Sequence, residues 1–434
     1  MRRSAAVIRS ELPGPALACW ASVFFSLSVL TYLISIAASQ SFLTLAALLY
    51  FAHLLHANPK PRISFPPVKL PLALFCVWTV VSVIFAEFPD AGGFVIRKLA
   101  LFLILLLTVN LVLSARHVAF LLKALLAEAA AVGLVGAGEF VRQYREVRAV
   151  HPHRVYLYMT VTRITGLQGH WMNFGGQQML VFSAGLAFLL VGSGGARSGA
   201  RPRRWWWFAL VVLLASILLN LTRGVWLGCF GAAIYLVARW RARWLWILPV
   251  AVAITLVAGP RMLRRRESSV LHPRRDPSLA VRFEMWGVGA RMIRRHPWVG
   301  VGPDNIPALY DFYMPPGKVP IVGYHDHLHD NAVQLAAERG IPCLAAWVWL
   351  MLAFLVYTIR IRRKLGSLRW VADAGIAAWL ALVIEGVFEF NFGSSPVLML
   401  FLFIMAAPFA TEAAVQNETS RAAPPLRRTG SSTK

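Results

Sequence analysis

The sequence is poor in charged residues. Only 15% of its 434 residues are charged, whereas 58% are hydrophobic. Soluble proteins usually carry about 25% charged residues, and so few charges could not cover the surface of a soluble protein of this length. The composition therefore excludes an ordinary soluble fold. It predicts an integral membrane protein, in which chain length sets the number of membrane spans.

Acidic residues and paired cysteines are also scarce. The 19 acids are outnumbered by 44 Lys and Arg residues, which gives a net charge of +25. Such an excess can indicate nucleic-acid binding. In a membrane protein, basic cytoplasmic loops and attraction to anionic headgroups explain it, so membrane lipids are expected as partners and nucleic acid is not. The four cysteines stand alone in apolar sequence and indicate nothing about redox compartment.

Long hydrophobic runs are abundant. A helix needs about 20 apolar residues to cross a membrane, and about twelve such segments recur. They lie near 15–37, 41–56, 71–87, 98–115, 118–137, 174–193, 205–221, 223–239, 243–259, 331–359, 370–389 and 395–411. The sequence thus predicts an all-α integral membrane protein with about 12 transmembrane helices and one large extracytoplasmic loop.

This reading divides the chain into four parts. Residues 1–259 would hold transmembrane helices 1 to 9, and residues 260–330 the large outer loop. Residues 331–413 would hold helices 10 to 12, and residues 414–434 a disordered cytoplasmic tail, since the end of the chain is polar.

Basic residues predict the orientation, because short cytoplasmic loops are enriched in Lys and Arg. With the N-terminus in the cytoplasm, four predicted inner loops contain Lys and Arg but no acid. These loops lie near 57–70, 194–204, 239–243 and 360–369. Arg97 and Lys98 follow an outer turn closely and are a mild exception to the rule.

Two predicted outer segments break the rule more strongly. Residues 138–173 contain five arginines, and residues 261–295 contain ten arginines but only three acids. Long loops are translocated largely regardless of charge, so topology permits these arginines without requiring them. Guanidinium groups suit phosphate and pyrophosphate. The alternative is a solvated or headgroup-binding surface.

The densest polar cluster, Tyr-His-Asp-His-Leu-His-Asp-Asn, ends at Asn331, where a long apolar helix begins. In an extended segment, His325, His327 and His329 would point the same way and could bind a metal ion. Alternatively, one imidazole acts as a general base that the others position. A third interpretation is a helix cap, in which Asp330 or Asn331 satisfies free backbone amides.

Five short motifs between about residues 160 and 393 resemble, in the same order, those of the O-antigen ligase and polymerase superfamily. They are Arg163-Ile164-Thr165-Gly166 with Asn173-Phe174-Gly175; Thr222-Arg223-Gly224-Val225-Trp226; Arg282-Phe283-Glu284-Met285-Trp286 with His296-Pro297-Trp298-Val299-Gly300-Val301-Gly302; His329-Asp330 followed after nine residues by Gly340; and Glu389-Phe390-Asn391-Phe392-Gly393. The fourth motif departs from the family pattern twice. Asp330 stands where Asn, Ser or Gln is usual, and Cys343 replaces a second glycine.

The resemblance implies a membrane-embedded glycosyltransferase that needs no metal and no cofactor. Its donor would be a glycan linked to undecaprenyl pyrophosphate, and its acceptor a hydroxyl of a glycan or of lipid A core. The resemblance places the protein in the bacterial cytoplasmic (inner) membrane with its active site facing the periplasm, in lipopolysaccharide or polysaccharide biosynthesis. Ligase and polymerase are both left open.

Residue roles carry over to the matching positions. His329 is predicted to be the general base, because imidazole suits proton transfer at neutral pH. Arg223 and Arg282 are predicted to stabilise the departing pyrophosphate. A charge such as Arg223 between two apolar helices is costly unless it is paired or functional. The candidate substrate-binding residues are Arg163, His325, His327 and Asp330.

Two alternatives from other classes remain. One is a transporter or flippase for lipid-linked or anionic solutes, although the sequence shows no internal repeat of the kind common in transporters. The other is a metal-dependent enzyme that uses the histidine cluster. Glu385 and Glu389 could pair with arginines of the site, and the simpler interpretation, preferred for Glu389, places them near the headgroups.

Overall fold

A computed structural model describes residues 13–192, 204–258, 277–317 and 326–422, together with residues 262 and 264. These residues are largely helical and include no β-strand, which confirms the all-α fold class. The principal helices are α1 Pro13–Val29, α2 Ile36–His56, α3 Lys69–Ile84, α4 Gly93–Lys98, α5 Leu103–Leu111, α6 Ala115–Val150, α7 Val155–Val161, α8 Trp171–Ala187, α9 Arg204–Leu219, α10 Arg223–Arg241, α11 Ile247–Ala258, α12 Pro277–Arg295, α13 Ile306–Leu309, α14 Asn331–Arg362, α15 Arg369–Glu385 and α16 Ser395–Ala422.

Seven helical segments among the described residues are long and apolar enough to cross a membrane. They are Ile36–His56, Pro89–Leu111, Ala115–Val150, Trp171–Gly192, Asn331–Arg362, Gly366–Glu385 and Ser395–Glu418. Three shorter apolar helices are Ala16–Val29, Lys69–Ile84 and Arg204–Leu219. The protein is therefore a multi-pass membrane protein. The count of about twelve spans and the outer location of the loop stay predictions.

Two helices extend beyond their predicted ends. Helix α6 continues to Val150, where the sequence predicted an outer segment from residue 138. Helix α16 continues to Ala422, so residues 414–422, expected in a disordered tail, are helical. Ala414 is buried, and Glu412 pairs with Lys364 at 2.8 Å, which fixes this part of α16 to the end of α14. Residues 423–434 lie outside the described residues.

The bundle is built around helices α8 and α16. Nearly all of the most apolar part of each is buried, whereas most of α2 is not. Since lipid solvates apolar side chains, the exposed apolar faces of outer helices such as α2 are expected for a membrane protein. One large apolar cluster joins these helices.

A second, smaller apolar cluster lies in the predicted loop. Helix α12 contributes Met285, Val288 and Met292, which pack with Val301 and Leu328. This part of residues 260–330 therefore has a hydrophobic core of its own and can hold side chains in fixed positions.

The loop is anchored to the bundle at a break in helix α14. Gly340 has φ 81° and ψ 167°, a conformation that other residues rarely adopt. Pro342 has no N–H to offer the Glu338 carbonyl, which instead accepts from Gly302 N at 2.9 Å and from Ser82 Oγ at 2.9 Å. The Pro297 carbonyl in turn accepts from Ile341 N at 2.8 Å. The backbone at the break thus forms hydrogen bonds with the backbone of loop residues 297–302, in the manner of two paired strands.

We predict that Gly340→Ala destabilises the protein. A Cβ at this position would collide with the Trp298 carbonyl, and the strained backbone alone costs about 1–3 kcal/mol. Thermal unfolding in detergent should show a lower midpoint. Gly138→Ala is the control, because a Cβ there would meet no atom within 4 Å. Equal midpoints for the two variants would contradict the assignment.

Candidate active site

Most predicted site residues meet at one end of the bundle. Helices α8, α10 and α14 all begin there, and α15 ends there before the segment 386–394. Helix N-termini carry partial positive charge and free N–H groups, so this end favours an anionic ligand.

A carboxylate joins two histidines at this end. Glu389 Oε1 lies 2.8 Å from His327 Nε2, and Glu389 Oε2 lies 2.7 Å from His329 Nδ1. The Glu389 side chain is only 8% exposed, against 13% for His329 and 31% for His327. The two oxygens of Glu389 are therefore directed at the imidazoles, a partnership that the sequence did not predict.

The start of α14 fixes the position of these groups. Asn331 N donates to the Gly386 carbonyl at 2.8 Å, and Asn331 Nδ2 donates to Asn391 Oδ1 at 2.7 Å. A Cβ on Gly386 would collide with the Asn331 side chain, so glycine permits this close approach. The segment that carries Glu389 is thereby fixed against the residue two positions after His329.

His329 adopts a strained backbone conformation. Its φ is +50°, and Leu221 and Asp304 are the other non-glycine residues with positive φ among those described. Such conformations cost about 1–3 kcal/mol and are concentrated at functional sites. Two contacts flanking His329 maintain the conformation: Leu328 N donates to Gln334 Oε1 at 2.6 Å, and Val333 N donates to Asp330 Oδ1 at 2.8 Å.

Asp330 thus acts as the N-cap of α14, as one of the sequence interpretations expected. A cap needs only a short side chain with an acceptor oxygen, which Asp shares with the Asn and Ser of the family pattern. The assignment of Asp330 to substrate binding stays a prediction.

The three predicted arginines lie at the same end of the bundle as the segment that ends in Glu389. Arg282 Nε donates to the Phe388 carbonyl at 3.0 Å. Arg223 is the first residue of α10, and a Cβ on its neighbour Gly224 would lie 3.4 Å from Glu385 Cγ. Arg163 Nη1 donates to Thr222 Oγ1 at 3.3 Å, directly before Arg223. The structure therefore brings Arg163, Arg223 and Arg282 to the same end of the bundle as His327 and His329.

A polar cavity of about 290 Å³ opens beside the cluster. His327, Glu389, Lys98 and Asp304 line it, together with His170. His170 accepts a hydrogen bond from Met172 N at 3.3 Å as the N-cap of α8, and its ring stacks on Trp171. His170 was not among the site residues predicted from the sequence, although it lies between two parts of one motif. Its position three residues before Asn173, which belongs to a motif, could have identified it as a site residue.

The cluster changes the proton affinities of its members. Burial opposes the charged form of His327, but the hydrogen bond and charge of Glu389 outweigh it and raise the pKa of His327. Burial likewise opposes ionisation of Glu389, but the two histidines outweigh it and lower the pKa of Glu389. Burial lowers the pKa of His170. These shifts favour an ionised Glu389 beside a readily protonated His327.

The same three side chains could hold a metal ion. One ligand atom from each of His327, His329 and Glu389 lies within 4.8 Å of the others. Imidazole and carboxylate are common ligands of zinc and other transition metals. The third predicted imidazole, His325, lies outside the described residues. The positions of these three side chains are therefore compatible with the metal-dependent enzyme considered above.

Cys343, the departure from the family's second glycine, is also explained. Its Sγ lies 3.8 Å from Thr79 Oγ1 on α3 and is buried. Residue 343 lies within the regular part of α14, beyond the break, so glycine is not needed there for backbone conformation. The close approach of the loop depends on Gly340.

The fold and site define a class: an all-helical, multi-pass membrane protein with an arginine- and histidine-containing polar site at one end of its bundle. A family model described as O-antigen ligase matches residues 208–348, which include Arg223, Arg282 and His329. This match supports the resemblance to the O-antigen ligase and polymerase superfamily over about a third of the chain, and with it a role in membrane glycan transfer. A comparison with curated proteins found no match.

We predict that the pair of His327 and Glu389 makes stability depend on pH. Because the pKa of His327 is raised above its unfolded value of about 6.5, its contribution is complete below about pH 6.5 and is lost as pH rises through the folded-state pKa. Unfolding temperatures between pH 6 and 9 should fall less for His327→Gln than for the parent protein. The exposed His56 provides the control, and His56→Gln should retain the parent profile. Parallel curves for His327→Gln and the parent protein would count against the pair.

Proposed function

We propose that this protein is a glycosyltransferase that moves a glycan from undecaprenyl pyrophosphate to an acceptor hydroxyl. The reaction takes place on the outer face of the bacterial cytoplasmic membrane and needs neither metal nor cofactor. The observation that carries the proposal is the contact between His329 Nδ1 and Glu389 Oε2, at the end of the bundle where Arg163, Arg223 and Arg282 also lie.

The contact with Glu389 prepares His329 to act as a base. An ionised Glu389 accepts a hydrogen bond, so Nδ1 of His329 carries the proton and Nε2 keeps its lone pair. A carboxylate in this position also stabilises the imidazolium that forms when Nε2 takes a proton. His329 Nε2 is therefore the atom assigned to receive the acceptor proton.

The bond changes balance without an outside reagent. The acceptor oxygen loses its proton to His329 Nε2 and forms a bond to the anomeric carbon of the glycan. The bond from that carbon to the pyrophosphate oxygen breaks, and the pyrophosphate leaves with the electron pair. Negative charge grows on the leaving group, where Arg223 and Arg282 stabilise it, while Arg163 contributes to donor binding.

We predict that His329→Ala lowers the rate of transfer by about 10² to 10⁴-fold, the usual contribution of a general base. Arg223→Ala and Arg282→Ala should abolish transfer as well, because the leaving-group charge loses its partners. The measurement is formation of a glycosidic product by purified protein from a lipid-linked donor and an acceptor-containing membrane extract.

Arg363→Ala is the matched control, because Arg363 is exposed beyond the last turn of α14, at the other end of that helix. It should leave transfer unchanged, and all variants should accumulate equally in the membrane. Full activity of His329→Ala would remove the assigned base. If the parent protein moved the lipid-linked glycan across a vesicle membrane without forming a new glycosidic bond, the transporter alternative would replace this proposal.

A metal-dependent enzyme is a second candidate, which the approach of His327, His329 and Glu389 favours. We predict that incubation with a chelator leaves transfer undiminished, because the arginines supply the positive charge that a metal would otherwise provide. Loss of transfer with EDTA, restored by one divalent metal, together with bound metal in elemental analysis, would favour the second candidate.

A further inference from the structure

The strongest unassigned feature is a groove of about 830 Å³ between α2 and the segment 93–103. One face of α2 lines it through Leu43, Thr44, Ala47, Leu48 and Phe51. These positions have the spacing of a single helical stripe. From Ile36 to Phe51 the groove follows α2 for about 22 Å, at the usual helical rise of 1.5 Å per residue. Its shape therefore suits a long, narrow apolar chain.

The groove adjoins the polar cavity. Lys98, Asn173, Gly393 and Ser394 line both. Lys98 Nζ donates to the Gly393 carbonyl at 2.8 Å, and Ser394 Oγ contacts Asn173 Oδ1 at 2.6 Å, so the shared wall is held together by its own hydrogen bonds. A molecule with its chain in the groove would have its polar end next to the cavity that His327 and Glu389 line.

The cations at this opening have no topological explanation. Arg97 and Lys98 follow a predicted outer turn, against the rule that basic residues favour the cytoplasmic side. Both line the groove, Lys98 at its border with the polar cavity, and Arg97 is exposed. A chain-bearing diphosphate would place its negative charge there. Charge complementarity and adjacency to the site thus point to one occupant.

We propose that this groove binds the polyprenyl chain of the diphosphate-linked donor. The inference rests on the proposed function and extends it: Arg97 and Lys98 hold the phosphate nearer the chain, while the arginines around Glu389 face the phosphate nearer the glycan. The length of the groove makes a long polyprenyl carrier preferable to a short one.

Photo-crosslinking tests the occupant directly. A benzophenone amino acid is placed at Thr44, which lines the groove, or at Leu45, its exposed neighbour on the same helix, which does not. The full-length protein in phosphatidylethanolamine–phosphatidylglycerol vesicles is illuminated with radiolabelled undecaprenyl diphosphate. We expect at least fivefold more label at position 44, with undecaprenol a weaker competitor than the diphosphate. Equal labelling at both positions, or capture of phospholipid alone at position 44, would overturn the proposal.

Kinetics provide the second measurement. Thr44→Trp should raise the KM for an undecaprenyl-linked donor about tenfold and leave the KM for a farnesyl-linked donor unchanged, whereas Leu45→Trp should alter neither. An unchanged KM for the undecaprenyl-linked donor in an active Thr44→Trp protein would exclude this groove as the donor site while leaving the proposed reaction intact. Selective crosslinking at position 44 in a protein that forms no glycosidic product would instead reject the reaction and support the groove.

Discussion

The carboxylate of Glu389 connects two parts of the chain that are 60 residues apart, and the geometry of the site depends on this connection. One oxygen contacts His327 and the other contacts His329, so the two rings cannot turn independently. The segment that supplies Glu389 also accepts from Arg282 through Phe388 and lies against the start of α10 through Glu385. Displacement of this segment would therefore disturb the base and the arginines together.

The break in α14 determines how the loop reaches this site. A continuous helix would satisfy its own backbone groups and offer none to residues 297–302. Gly340 and Pro342 remove two of those internal bonds, and the loop backbone replaces them. Glu338 then receives hydrogen bonds from Asp304 N and Gln334 Nε2, and Gln334 also holds Leu328 N. One chain of contacts thus runs from the loop through α14 to the residue before His329.

The sequence allowed the fold class and much of the site to be predicted, because each rests on a local signal. Hydrophobic length indicated membrane helices, and motif order indicated the residues around Arg163, Arg223, Arg282 and His329. The extent of α6 was missed because its last turns carry arginines in place of apolar residues, so hydropathy ends before the helix does. The partnership of Glu389 with the histidines was missed for a different reason. A contact across 60 residues leaves no periodicity or spacing to read.

The electrostatic balance of the site explains why so many cations are tolerated at one end of an apolar bundle. Buried charge is costly unless it has partners. Two of the acids here are held by hydrogen bonds: Glu389 by two histidines, and Glu338 by Gln334 and Asp304 N. The three arginines lie at the same end of the bundle as three helix N-termini, which attract anions. In the proposed reaction, the groups that bind the donor diphosphate also contact the diphosphate of the leaving group, so they oppose its release. We therefore expect the carrier diphosphate without its glycan to inhibit the protein as a product.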